Sequence, residues 1–152
     1  MSEPIDHQIV QGIADCLRQI RQDNGYRSDI GLQVLPNDGS AIDEELPFVE
    51  IIDDEEVAEY QNGKRRRASL ALTIAVEFPA GDVDQAQLLQ ARRAFADIRQ
   101  ALATIDPVNW IVGVGGLELG GRTMFADDGG TPFFRPELKA RVTFHENHRS
   151  NT

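Results

Sequence analysis

The chain has 152 residues, with 25 acidic and 15 basic side chains and a formal net charge of −10. That length suits one domain able to bury a core without staples, and the charge argues against a sequence-independent nucleic-acid binder, which needs a basic footprint to displace counterions. No run approaches the roughly 20 apolar residues of a membrane span, and the acidic, polar start lacks the pattern of a signal peptide, so a cytosolic protein is the default expectation.

Residues 4–22 read as a helix. Ile5, Ile9, Ile13, Cys16 or Leu17, and Ile20 recur three and four apart in one apolar stripe, with Ser2 or Asp6 as possible caps and Asn24-Gly25 as the stop. The single Cys16 has no internal disulfide partner and is expected as a thiol packed in the core. Residues 30–35 are a short strand candidate ended by Pro36-Asn37-Asp38-Gly39, and residues 40–45 read as an acidic loop. Residues 48–52 form the next strand. The acidic run Asp53, Asp54, Glu55 and Glu56 follows it, residues 57–60 continue it, and Asn62-Gly63 supplies a turn.

The dominant signal is residues 64–78. Ala68, Leu70, Leu72, Ile74, Val76 and Phe78 alternate without a break with Arg67, Ser69, Ala71, Thr73, Ala75 and Glu77. A period of two over this length is a β-strand, about 40 Å long at ~3.3 Å per residue. Its apolar face needs a cover, and its small, polar face is expected to meet water or another subunit.

Pro79-Ala80-Gly81 breaks the strand, and Asp82 is a candidate N-cap for a second helix. That helix has a core stripe of Leu88, Ala91, Phe95, Ile98 and Leu102, with Arg92, Arg93, Asp97 and Arg99 elsewhere around it and Asp106-Pro107 closing it. Residues 110–119 are apolar and glycine-rich, Gly120-Gly121 punctuates them, and residues 122–125 are a candidate edge strand. Residues 127–132 read as an exposed turn. A last strand after Pro136 alternates Leu138, Ala140, Val142 and Phe144 with Lys139, Arg141, Thr143 and His145. The expected fold is a single α+β domain over residues 1–152. An antiparallel sheet of strands of mixed length contains a long hairpin, two helices pack on one face, and residues 1–4 and 147–152 are flexible.

The chemistry-bearing patterns each have a structural explanation. The glycines of residues 113–121 lack the Lys-Ser/Thr of a P-loop and precede no helix, so strand bulges and tight turns account for them. His145 and His148 do not form the zinc pattern HExxH and have no third ligand. The run from Asp53 to Glu56 lacks the interleaved glycine of a calcium loop and reads as a solvated hairpin or a subunit contact. Ser69, preceded by Arg65, Arg66 and Arg67, looks like a basic-directed kinase site, but inside a long strand it would be hard to reach. His7 lies about two and a half turns from Cys16 on one helix, too far to activate it, and Asp127-Asp128 beside glycines is a turn composition. No catalytic constellation survives, so a non-enzyme without cofactor or metal is expected.

Taken in order, the opening helix ends in Ile20-Arg21 and Asn24-Gly25. A long hairpin closes on Val76-Glu77-Phe78, and the second helix follows soon after. The end runs through Leu119-Gly120-Gly121-Arg122 and Asp128-Gly129-Gly130 to a closing strand over residues 138–144. This layout resembles the tail terminator family of long-tailed bacteriophages, small virion proteins that form a ring closing the top of the tail tube. The resemblance implies a hexameric ring located in the virion tail or neck, its subunits made in the host cytoplasm. Its partners would be further copies of itself, the tail tube protein and the head–tail connector. It implies no membrane and no specific nucleic acid, although the genome could pass through the ring. It also implies a hairpin, here residues 53–67, reaching past the domain body toward a neighbouring subunit or the tube. In a head-to-tail contact unlike patches meet, so Asp53, Asp54, Glu55 and Glu56 of one subunit are expected to face Arg65, Arg66 and Arg67 of the next, with Arg122, Asp127 and Asp128 as further interface candidates. Three alternatives stay open: another neck, tail-completion or head-closure protein; a tube-like component that polymerises by stacked sheets; and a small-ligand-binding or enzymatic α+β domain using Arg122, Asp127 and Asp128.

Overall fold

The structure is a computed structural model that describes residues 3–36, 47–79, 83–125 and 134–147. Its elements are α1 (Ile5–Leu17), β1 (Val34–Leu35), β2 (Phe48–Asn62), β3 (Arg65–Glu77), α2 (Gln85–Leu102), β4 (Val114–Thr123) and β5 (Glu137–Asn147), with short 3-10 turns at Gln22–Asn24, Ile30–Leu32 and Pro107–Asn109. They make an α+β fold with one five-stranded sheet in the order β1-β2-β3-β5-β4. The 13-residue β3 lies at its centre, antiparallel to β2 on one side and to β5 on the other.

The alternation along β3 sorts its side chains as the period of two requires. Ala68, Leu70, Leu72, Ile74 and Val76 join one core cluster with Ile9, Ile13 and Leu17 of α1 and with Ala91, Ala94, Phe95 and Ile98 of α2. Leu138, Ala140, Val142 and Phe144 of β5 belong to the same cluster, so both helices cover one face of the sheet. The other face departs from expectation. Ser69, Thr73, Ala75 and Glu77 are buried as well. They are small or medium side chains on a central strand, and longer chains from the flanking strands close over them. Lys139 Nζ donates to Thr73 Oγ1 at 2.6 Å, the Thr73 hydroxyl donates to Asp54, and Arg135 reaches Glu77 at 3.3 Å.

The sheet is mixed rather than wholly antiparallel, because β1 pairs in parallel with β2 through Val34 and Leu35. The strand expected over residues 30–35 is cut to two residues for a steric reason. Gly31 donates its N–H to the Ile20 carbonyl at 3.0 Å, and a Cβ there would stand 2.6 Å from the carbonyl oxygens of Leu17 and Ile20. Residues 30–32 therefore wind into a 3-10 turn against the end of α1, and α1 itself stops at Leu17 rather than near residue 22. Neither suggested cap holds for α1: Pro4 is its N-cap, Asp6 lies within the first turn, and Ser2 is outside the described residues. For α2 the cap is Asp84, whose carboxylate accepts from Gln87 N–H at 2.9 Å, whereas Asp82 is outside the described residues. Two further segments merge into longer strands. β2 runs unbroken through the acidic residues to Asn62, and β4 runs through Gly120-Gly121 to Thr123 with register shifts that mark bulges.

Asp97 is the most consequential departure from the sequence pattern, which set it outside the core stripe of α2. It is fully buried. Both of its oxygens accept from Arg27 N–H at 3.1 Å, one accepts from the Arg27 guanidinium at 3.0 Å and the other from the Ser28 hydroxyl at 2.6 Å. The carboxylate thus ties α2 to the connection between α1 and β1. Hydrogen bonds to a charged group contribute roughly 1.5–3 kcal/mol each, and a buried donor left without a partner costs about 1–3 kcal/mol. Asp97→Ala is therefore expected to lower unfolding free energy by about 3 kcal/mol, while Asp84→Ala on the same helix loses about 1 kcal/mol of capping. Urea denaturation of the two variants checks this; equal small losses would show that Asp97 does not anchor the connection.

Candidate functional site

The charged region singled out in the sequence lies along β2 and the start of β3. Every residue of β2 from Asp53 to Asn62 is exposed; β1 pairs only with Val49 and Glu50, and among the described residues no other strand borders that edge. β3, backed by β5 up to the pair Arg65–Asn147, is buried from Ala68 onward except at the half-buried Ala71. The hairpin therefore outruns the helix-covered core only over its last residues, about 59–67, a shorter overhang than expected. Its two-residue turn is Gly63-Lys64, one residue later than Asn62-Gly63, with Gly63 at φ 58°, where a side chain would be strained.

The four acids do not form one patch. Strand alternation and the bulge between Asp53 and Glu55 disperse them. Asp53 pairs with Leu72 on the helix side, in a hollow lined by Asp6, His7 and Val10. Burial, and then the like charges of Asp6, Glu56 and Asp54, push its carboxyl above the ordinary range. Asp54 belongs to the opposite face, with Thr73 and with Lys139 at 3.8 Å. Glu56 meets Arg66 at 2.8 Å in a two-pronged contact.

The bases divide in the same way. Arg66 bridges Glu56 of β2 and Glu146 of β5, the latter at 3.1 Å, and Arg67 meets Glu59 at 3.0 Å. These are contacts within one chain. Lys64 and Arg65 are exposed at the tip and make no ion pair among the described residues, and the same is true of Asp53 and Glu55. The sequence reading missed Glu59 and Glu146 as partners. The signal was available in the register, since Glu146 stands directly opposite Arg66, but only once β5 is known to lie beside β3.

The remaining candidates do not join this region. Arg122 sits on β4, with β3 and β5 between that strand and β2, and Asp127 and Asp128 lie outside the described residues. Among the described residues no group of three or more His, Cys, Asp or Glu side chains is placed to hold a metal ion, and no helix is long and apolar enough to cross a membrane. His148 is outside the described residues. Cys16 is half-buried between the helices, its thiol donating to the Ala101 carbonyl at 3.1 Å, and burial raises its pKa. Comparison with protein-family models and with curated protein sequences finds no match.

What this arrangement can do is set register. The Arg66 hydrogen bonds hold the Glu56 carboxyl below its ordinary range. A depressed folded pKa stabilises the pairing above the ordinary carboxylate range, and that stabilisation is lost as pH falls through the folded value. Arg66→Gln is expected to move the Glu56 titration midpoint upward, read by carboxyl carbon NMR. An unmoved midpoint would mean that the contact is not maintained in solution.

Proposed function

We propose that the protein is a virion structural component, a tail terminator that assembles into a ring, hexameric in the family it resembles, and ends growth of the tail tube beneath the head connector. The observation that supports this reading is the open, charged edge of β2 beside a tip with uncommitted bases. With Glu56, Glu59 and Glu146 already holding Arg66 and Arg67, the charges left for a neighbour are Asp53 and Glu55 on the edge and Lys64 and Arg65 at the tip. They are unlike, and they lie at different places on one subunit, as a head-to-tail cyclic contact requires. Exposed pairs contribute only ~0–1 kcal/mol each. Their part is therefore register and approach, with backbone and apolar contacts supplying affinity.

Negative-stain electron microscopy of the protein, alone and mixed with its cognate tube protein, tests the assembly. Closed rings, or caps that limit tube length, are the expected result; monomers in both samples would sink the reading. A Lys64→Glu, Arg65→Glu double variant is expected to abolish rings while circular dichroism and melting temperature stay unchanged, because neither side chain has an ion-pair partner among the described residues. Rings that persist in this variant would assign ring closure to other residues.

A further inference from the structure

On the sheet face away from the helices, a buried acid cluster remains that no ring contact uses. Glu77, at the end of β3, is 6% exposed. One of its carboxyl oxygens, Oε1, lies 3.3 Å from Arg135 Nε, while the other, Oε2, is buried with no hydrogen-bond donor. The Glu50 carboxyl of β2 is near enough to act on that of Glu77. Strand register explains the approach: Phe48 is opposite Glu77 and Glu50 is opposite Ala75, so the two acids are diagonal neighbours on one face.

Two carboxylates this close, one of them desolvated, resist ionising together. A proton on Glu77 Oε2 removes the repulsion and turns the orphaned oxygen into a donor toward Glu50. Among the described residues the surrounding charges do not substitute for it. β2 contributes Glu50 and Asp54. The approach to β5 and the strand itself contribute Arg135, Glu137 and Lys139, and the helices cover the opposite face. Arg135 is shared between Glu77 and Glu137, the latter at 3.4 Å, and Lys139 is shared between Glu137 at 3.5 Å and Asp54 at 3.8 Å. One guanidinium therefore faces more carboxylate charge than it can neutralise.

The cluster sits where the chain rejoins the sheet ahead of β5. Phe78 N–H donates to the Phe134 carbonyl at 2.9 Å, Phe134 N–H donates back at 3.2 Å, and Val76 N–H donates to the Pro136 carbonyl at 3.0 Å. The rings of Phe78 and Phe134 stack with centroids 5.7 Å apart. Arg135 lies between these fastenings in the chain, and its side chain is the one that reaches Glu77.

We propose that Glu50, Glu77 and Arg135 form a proton-operated latch holding residues 134–136 against the end of β3. The latch is closed when the two carboxyls share a proton and loosened when both are charged. The direction of titration agrees. Burial first, and Glu50 second, raise the Glu77 carboxyl from 4.5 to about 7 against the lowering pull of Arg135. For an acid whose folded pKa is raised, the stabilisation is complete below the ordinary value and is lost as pH rises through the folded one. The window lies between about pH 4.5 and about pH 7.

Amide hydrogen exchange by NMR reads the latch directly through Phe78 and Phe134, the donors of the bridge. Their protection factors, taken as ratios to the sheet-centre amide of Leu72, are expected to fall by about thirtyfold between roughly pH 5.5 and roughly pH 8.5, the change that the ~1.5 pH units between the lower value and the folded pKa drive. Glu77→Gln carries a permanent N–H donor in place of the proton and is expected to keep the ratios high at both values. Glu50→Gln removes the repulsion but leaves Glu77 buried and titratable, so it is expected to reduce the fall without abolishing it, and it serves if the first variant fails to fold. Equal ratios at both pH values in the native protein would overturn the latch, as would the same fall persisting in either glutamine variant.

Discussion

The constraint on which the structure depends is that β3 is buried on both faces, by two different means. Toward the helices its side chains are aliphatic and meet α1, α2 and β5 in one continuous cluster. Away from the helices there is no second layer among the described residues. Burial there comes from small side chains lying low between strands whose long charged chains fold over them. A larger residue at Ser69, Thr73 or Ala75 would lift that polar cover, so the alternation of large and small along β3 sets both the thickness of the core and the form of the charged surface above it.

This arrangement explains why charge in the molecule is divided between two uses. Some ions are committed internally: Asp97 holds the α1–β1 connection to α2, Arg66 spans three strands, and Lys139 and Arg135 cover the middle of the sheet. Others at the β2 edge and hairpin tip have no ion-pair partner among the described residues and remain available to a second molecule. An open strand edge is an invitation to uncontrolled pairing, which charges and bulges restrain; β2 carries both along the stretch that β1 leaves uncovered. A ring contact there would use the same charges that keep the isolated subunit from stacking at random. The proposed role rests on this economy of partners.

How much of this was legible in the sequence depended on whether the signal was local. The period of two along residues 64–78 and the three-and-four spacing of Ile9, Ile13 and Leu17, and of Ala91, Phe95, Ile98 and Leu102, identified the central strand, both helices and the faces they bury. Local chemistry does that because side-chain direction follows directly from backbone geometry. Of the candidate site, the sequence supplied the charged residues and the hairpin that carries them. It did not supply their partners.

The rest was decided by tertiary structure. Asp97 reads as a surface residue on helical periodicity and is buried because Arg27 and Ser28, about 70 positions away, converge on it. The face of β3 that looked ready for water is covered by residues from β5, whose place beside β3 no spacing rule announces. The division of Arg65, Arg66 and Arg67 into committed and free bases likewise follows from β2 and β5 flanking β3. The sequence by itself determined which residues alternate, and hence which elements form. Only the order of strands in the sheet decided which charges would find each other, because an ion pair is fixed by distance in space and not by distance along the chain.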